Sequence, residues 1–269
     1  MQKIALIIYL FFSSFVFSQV PHQIGARANG LANSTLLISD VWSVKNNPGA
    51  MGQLTKTSVG IAYQNRFLVN ELSNQSLAFN YHLTGKSNIG LYFQQTGFSL
   101  YRQLQTGLVY GMKLADNLSA GVSLNFHRIA FGDIYGSVNA VSASIGLKYA
   151  LNKNLDLGLN IQNINRAKLS DYQDERFPTL FNIGLKYNFS EGTFWSVEAE
   201  KDILHPLNIK SGIEILTHQI FVVRLGMNSY PFQAGFGAGL KLKQFNLDIA
   251  STWHSTLGLS PSMALSYHF

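Results

Sequence analysis

FNIGLKYNFS, residues 181–190, alternates without a break. Phe181, Ile183, Leu185, Tyr187 and Phe189 are apolar; Asn182, Gly184, Lys186 and Asn188 between them are small or polar. A period of two sends the two sets to opposite faces of a β-strand. From about residue 57 to the end, the same pattern recurs. It is clear in Val59-Ile61-Tyr63, Leu77-Phe79-Tyr81, Leu118-Ala120-Val122-Leu124-Phe126, Leu155-Leu157-Leu159-Ile161 and Met263-Leu265-Tyr267-Phe269. Fourteen such segments are expected.

The links between segments alternate in length. Those after even-numbered segments are short, as at residues 115–117, 152–154, 190–192 and 243–244. Those after odd-numbered segments are mostly longer, as at 65–75, 129–137, 163–178 and 202–208. Tight turns at one end, longer loops at the other and an even strand count are the pattern of a transmembrane antiparallel β-barrel. Both termini then lie on the tight-turn, periplasmic side. A soluble sandwich would turn its apolar face inward and carry Lys, Glu and Thr outside. Here the polar face is rich in Gly, Ser, Ala and Asn, which suits a crowded lumen, and the clear strands carry no charge on the apolar face. Closure also pairs every strand edge, as hydrocarbon demands. Tyr63, Tyr81, Tyr149, Tyr187, Phe189, Trp195 and Tyr267 near strand ends fit interfacial girdles.

Composition agrees. Charged residues make up 13% of the chain, against about 25% in an average soluble domain. There is no Cys, which excludes disulfides, thiolate metal sites and Cys nucleophiles. The net charge of +6 is scattered, without a basic cluster for nucleic acid. Met1-Gln2-Lys3, an apolar run over residues 4–12 and a small residue at Ser18 read as a secretory signal peptide over residues 1–18, cut before Gln19. A retained membrane helix is the alternative. Export places the barrel, residues 57–269, in the outer membrane of a Gram-negative cell. Its expected partners are outer-membrane lipid and the barrel-assembly machinery, for which the terminal aromatic Phe269 resembles the assembly signal.

Residues 19–56 do not alternate and are too long for an idle tail. They are expected to fold back into the lumen as a hatch. Gly25-Ala26-Arg27, Asp40-Val41-Trp42 and Asn46-Asn47-Pro48-Gly49 resemble the N-terminal signature of FadL-like outer-membrane proteins, most nearly the PorV/PorQ group of the Bacteroidota. Residues 161–187 are similar to a second stretch of that group. Gly49 stands where Ala is usual, and Asn165 where Gly is usual. The resemblance implies a fourteen-stranded barrel with an N-terminal hatch and no cofactor. It implies two jobs: an accessory role in type IX secretion and surface attachment, with secretion-system components as partners, or passive transport of a hydrophobic ligand across the outer membrane.

In-strand charges on the small-residue face are expected to line the lumen: Lys113, Lys148, Asp156, Lys186, Glu198, Glu200, Lys210, Glu214, Arg224, Lys241 and Asp248. Both signs occur, so cross-strand pairs can form. Arg27 and Asp40 are their natural partners in the hatch, with Trp42 and Pro48 bracing it. Catalytic and metal readings find little. His254 and Ser255 are adjacent, so a strand would point them to opposite faces. Asp171, Asp174 and Glu175 share a loop that reads as solvated. The seven His residues show no ligand spacing. The glycines of GFGAG, residues 235–239, lie on one strand face with no helix following, so they read as packing and not as a phosphate loop.

Overall fold

The computed structural model describes residues 23–83, 85–132, 136–169, 175–203 and 205–269. The signal-peptide expectation, Asp171 and Asp174 lie outside the described residues. The strands are β1 (Ser58–Asn65), β2 (Ser73–His82), β3 (Ser87–Phe98), β4 (Tyr101–Ala115), β5 (Leu118–Ala130), β6 (Ser137–Ala150) and β7 (Leu155–Gln162). They continue as β8 (Leu180–Ser190), β9 (Thr193–Asp202), β10 (Asn208–His218), β11 (Phe221–Ser229), β12 (Phe232–Lys241), β13 (Phe245–His254) and β14 (Gly258–His268). Each strand pairs antiparallel with its sequence neighbours, and β1 pairs with β14, closing a fourteen-stranded transmembrane barrel. Phe269 donates its N–H to Thr57 O at 2.9 Å, extending that seam by one bond.

Side-chain parity is that of a barrel in lipid. On β8, Phe181 and Ile183 are 45% and 62% exposed while Asn182 is 3% exposed. The same inversion runs around the wall: Ile61, Leu91, Leu124, Val141, Leu225, Ile249 and Met263 all face out. An apolar surface this continuous is stable only against hydrocarbon. The buried apolar core lies instead inside, between residues 24–51 and the wall. Ile24, Ala26, Val41, Trp42, Val44 and Met51 pack there against Ala78, Tyr92, Val109 and Ala264.

Two details depart from the sequence reading. At the end away from the termini, several links expected to be long are instead strand. β3 and β4 run on to Phe98 and Tyr101 and are joined by two residues; β11–β12 and β13–β14 are also joined tightly. Beyond the apolar band both faces become polar, as in Gln94-Gln95-Thr96 paired with Gln103-Leu104-Gln105, so alternation disappears while the ladder continues. These extensions also place charges outward, at Arg102, Arg128 and Lys201, which the clear apolar stretches lack.

The second departure is in the wall. The β6–β7 ladder ends at Ile145 opposite Ile161, although β6 continues for eight more residues toward its start. Above that point the side-chain amide of Asn165 replaces a peptide group. Its Oδ1 accepts from Ala143 N at 3.0 Å and its Nδ2 donates to Val141 O at 2.9 Å. A glycine at this position could not make these bonds.

The lipid-facing band generates a direct test. Leu185→Arg, on the outward face near the middle of β8, should destabilise the barrel by roughly 2–4 kcal/mol, as charge does at mid-bilayer. Urea titration of the liposome-embedded protein measures this, and Lys201→Leu at the strand end should change little.

Candidate functional site: the lumen and the segment inside it

Residues 24–52 lie inside the barrel. They form three short helices, α1 (Ala26–Gly30), α2 (Ser43–Asn46) and α3 (Pro48–Met51), joined by turns. The wall admits them because nearly every strand offers a glycine or another small residue at the contact. A Cβ added to Gly121 would lie 2.2 Å from Pro48 O, and one on Gly146 2.0 Å from Asn47 Oδ1. A Cβ on Gly226 would lie 2.2 Å from Leu31 C, and one on Gly60 2.8 Å from Val41 Cγ1. These gaps are below contact distance for any side chain. The glycines line up across strands, Gly111–Gly121–Gly146 on one side and Gly212–Gly226–Gly235 on the other. They form a collar around the segment. GFGAG belongs to it: a Cβ on Gly235 would lie 2.3 Å from Asn29 O.

The Asn46-Asn47-Pro48-Gly49 turn has a specific job at this collar. Asn47 caps α3 by accepting from Gly49 N at 2.9 Å and donates through Nδ2 to Leu36 O at 2.6 Å. Pro48, at the first helical position, lacks the N–H that a helix start leaves unpaired. Asn46 exchanges two bonds with the backbone of Ile24, at 3.0 and 3.2 Å, and ties the two ends of the segment together. Gly49 is required as glycine, since a Cβ there would lie 2.5 Å from the Gly146 backbone. Trp42 is buried with its ring over Gly25 and Gly60.

The lumen charges form separate groups. Glu214, with a fully buried side chain, is the hub of the largest. Arg27 approaches it with Nε and Nη2, both at 2.8 Å, Arg224 at 2.7 Å and Lys241 at 3.0 Å. Arg27 also reaches Asp40 at 3.1 Å, and Arg224 reaches Asp248 at 2.7 Å. Burial alone would lower the Arg27 pKa, but Glu214 and Asp40 outweigh it and hold the guanidinium protonated. Burial raises Asp40 above the usual carboxylate value, against the pull of Arg27. A second group joins Lys186 and Lys148 to Asp156 at 3.0 and 3.7 Å. A third pairs Lys210 with Glu200 at 2.6 Å. Glu198 makes no ion pair in these groups; it accepts from the backbone N of Leu36. Lys113 sits apart, pairing with Asp116 at the turn.

Several residues important in the lumen carry no motif. Lys45 of α2 projects to Gln94. Tyr92 donates to Asn125 at 2.7 Å and accepts from Gln105 at 3.0 Å. Asn163 accepts from Ala167 N at 2.8 Å and donates to Phe177 O at 2.8 Å, tying residues 163–167 to residue 177. There Ala167 and Phe177 cover Ile129, and the Phe177 ring lies 4.5 Å from that of His127. A small recess lies among Gln23, Asn29, Gln64, Asn74, Ser76 and Ser262. Strand parity is the available signal for Tyr92 and Gln94; Lys45 and Asn163 lie outside the strands. His254 accepts at Nδ1 from the turn amides of Thr256 and Leu257, and Ser255 lies in that turn.

No family model matches the chain, and no curated protein sequence matches it. Solved structures do. The chain is similar to the toluene transporter TodX of P. putida, with a TM-score of 0.73 and 11% identity over 91% of this chain and 98% of that one. The toluene transporter TbuX of Ralstonia pickettii gives 0.69 and 13% over 94% and 100%. A FadL homologue of Pseudomonas aeruginosa gives 0.66 and 12% over 93% and 99%. At these identities the likeness establishes the fold.

Two predictions follow from the charges. Glu214→Gln leaves Arg27, Arg224 and Lys241 facing a neutral amide and should cost about 3–5 kcal/mol, as breaking buried pairs does; the urea midpoint reads it. Burial also lowers the Lys45 pKa to about 7 from 10.5. Between those values the unfolded chain holds the extra proton, so folded stability rises with pH across that window. The stability of the native chain relative to Lys45→Met should therefore rise from pH 7 to pH 10.

Proposed function

We propose that this protein is a non-catalytic, passive transporter of small, poorly water-soluble solutes across the outer membrane, working in the manner of FadL-like channels. The observation that carries the reading is the occupied lumen. A closed barrel holds an internal segment, residues 24–52, seated by close packing, hydrogen bonds and ion pairs with no disulfide cross-link to the wall. Such a segment can shift to open a path and return. The likeness to solved toluene transporters and a FadL homologue supports the same reading. The secretion role implied by the N-terminal motif draws no support from the comparisons. In this reading, Arg27, Asp40 and Glu214 hold the segment to the β10–β13 side, and Asn46, Asn47 and Pro48 hold it to the β5–β7 side. Phe269, on the seam strand, serves assembly in the outer membrane.

The absence of Cys makes the test clean. Ser34 and Ser196 face each other across the segment–wall boundary with their hydroxyls 2.9 Å apart, so Ser34→Cys/Ser196→Cys should form a disulfide that locks the segment in place. In cells carrying the barrel, uptake of radiolabelled toluene should fall on oxidation to the level of cells without it, and return on reduction. Uptake indifferent to the lock, or equal with and without the barrel, contradicts the proposal.

A further inference from the structure

The outer face of the wall carries two arginines where the apolar band of β4 and β5 ends. On β5 the outward set runs Leu118, Ala120, Val122, Leu124 and Phe126, and the next outward residue is Arg128. Arg128 lies opposite Leu104 of β4, and Arg102 lies opposite Ala130. The two arginines are therefore diagonal neighbours on one face, about 7–8 Å apart at the backbone and within reach of each other's long side chains. Both are exposed. Phe93, Phe126 and Val141 share the level below, while Gln95 and Asn139 share the level of Arg128. Arg128 comes ten residues after Leu118. At about 3.4 Å per residue and a tilt of about 40°, that is a rise of about 26 Å. The apolar band of an outer-membrane barrel is about 25 Å tall, so Arg128 stands at headgroup level and Arg102 one step above it.

This pair differs from every other strand cation. Each other Lys or Arg in the fourteen strands donates to a carboxylate or, for Lys201, to the carbonyl of His205. Among the described residues, Arg102 and Arg128 have no such partner. Like charges close together on a sheet face repel, and an anion between them removes the repulsion. We propose that Arg102 and Arg128 form a binding site for the phosphate of an outer-leaflet glycolipid. The groups present select the chemistry. Guanidinium forks match phosphate oxygens in a bidentate way. A phosphate monoester carries about −1.5 to −2 charges at pH 7, enough to answer both arginines; a phosphodiester, with one charge, answers one. Gln95 and Asn139 offer amide donors at the same level. The loop end of an outer-membrane barrel faces the outer leaflet. A lipid there sets its acyl chains against Phe93, Phe126 and Val141 and its headgroup against the arginines, a two-part fit that a free anion cannot make. The site rests on the barrel and its orientation and is independent of the transport reading.

The test places the full chain in phosphatidylcholine nanodiscs and titrates three fluorescent lipids: bisphosphoryl lipid A, the same lipid with both phosphates removed, and phosphatidylglycerol. The bisphosphoryl lipid should bind about tenfold tighter than the other two, as expected for charge-assisted hydrogen bonds at a partly screened surface. Arg102→Gln/Arg128→Gln should remove that margin. Lys201→Gln, which removes an outward cation elsewhere on the rim, should keep it. Equal binding of the three lipids, a margin that survives the double substitution, or one lost equally in Lys201→Gln overturns the inference. So does displacement of the lipid by an equal concentration of inorganic phosphate, which would mark a site for free anions. Should the double variant fail to fold, the lipid ranking on the native chain decides together with Arg102→Gln alone, expected to reduce the margin about threefold; an unchanged margin there contradicts the proposal.

Discussion

The structure depends on one packing constraint: the inner wall of the barrel must be almost free of side chains where residues 24–52 lie. A barrel in lipid turns its apolar residues outward, so its wall cannot supply an apolar core to itself. The core must come from a second body placed inside, and the backbone of that body has to approach the strands closely. Glycine makes this possible. At Gly121, Gly146 and Gly226 the inner segment sits where a methyl group would be. The penalty glycine carries inside a strand, lost packing and greater freedom when unfolded, is offset because the helix backbone fills the space. The small-residue face of the alternating strands is thus the footprint of the inner segment.

Electrostatics supplements this packing without replacing it. Buried ion pairs gain little net energy over well-packed apolar groups, since desolvation opposes the attraction. They do impose position. Glu214 receives Arg27 from the segment and Arg224 and Lys241 from the wall, so a shift of α1 would leave several buried charges unmatched. On the opposite flank Asn46 and Asn47 make neutral hydrogen bonds near β6 and β7, and Lys148 donates to Ser39 at 3.0 Å. Ion pairs between segment and wall are thus concentrated on the side of α1.

Much of this was legible in the sequence. Period-two alternation located all fourteen strands and assigned Asn182, Lys186, Glu198 and Arg224 to the lumen face. It failed where the outward residues cease to be apolar: the ends of β3 and β4 read as loop because Gln and Thr occupy both faces, although the hydrogen-bond ladder continues. The Asn46-Asn47-Pro48 turn was visible as a turn, but its bonds to Leu36 and Ile24 were not, since capping partners far along the chain leave no periodic trace. Arg27 and Asp40 were recognisable as a charge pair in search of partners; the choice of Glu214 as hub depends on barrel register, which alternation does not encode. Lys45 and Asn163 lie outside any repeating pattern.

The most direct measurement of the central claim is amide hydrogen exchange across residues 24–52 in lipid-embedded protein, comparing the native chain with Gly146→Val and with an outward control in the same strand, Ala143→Val. The glycine collar requires strong protection of the segment in the native chain and the control, and its loss in Gly146→Val while the strands stay protected. Equal protection of the segment in all three proteins, or none in the native chain, would contradict it.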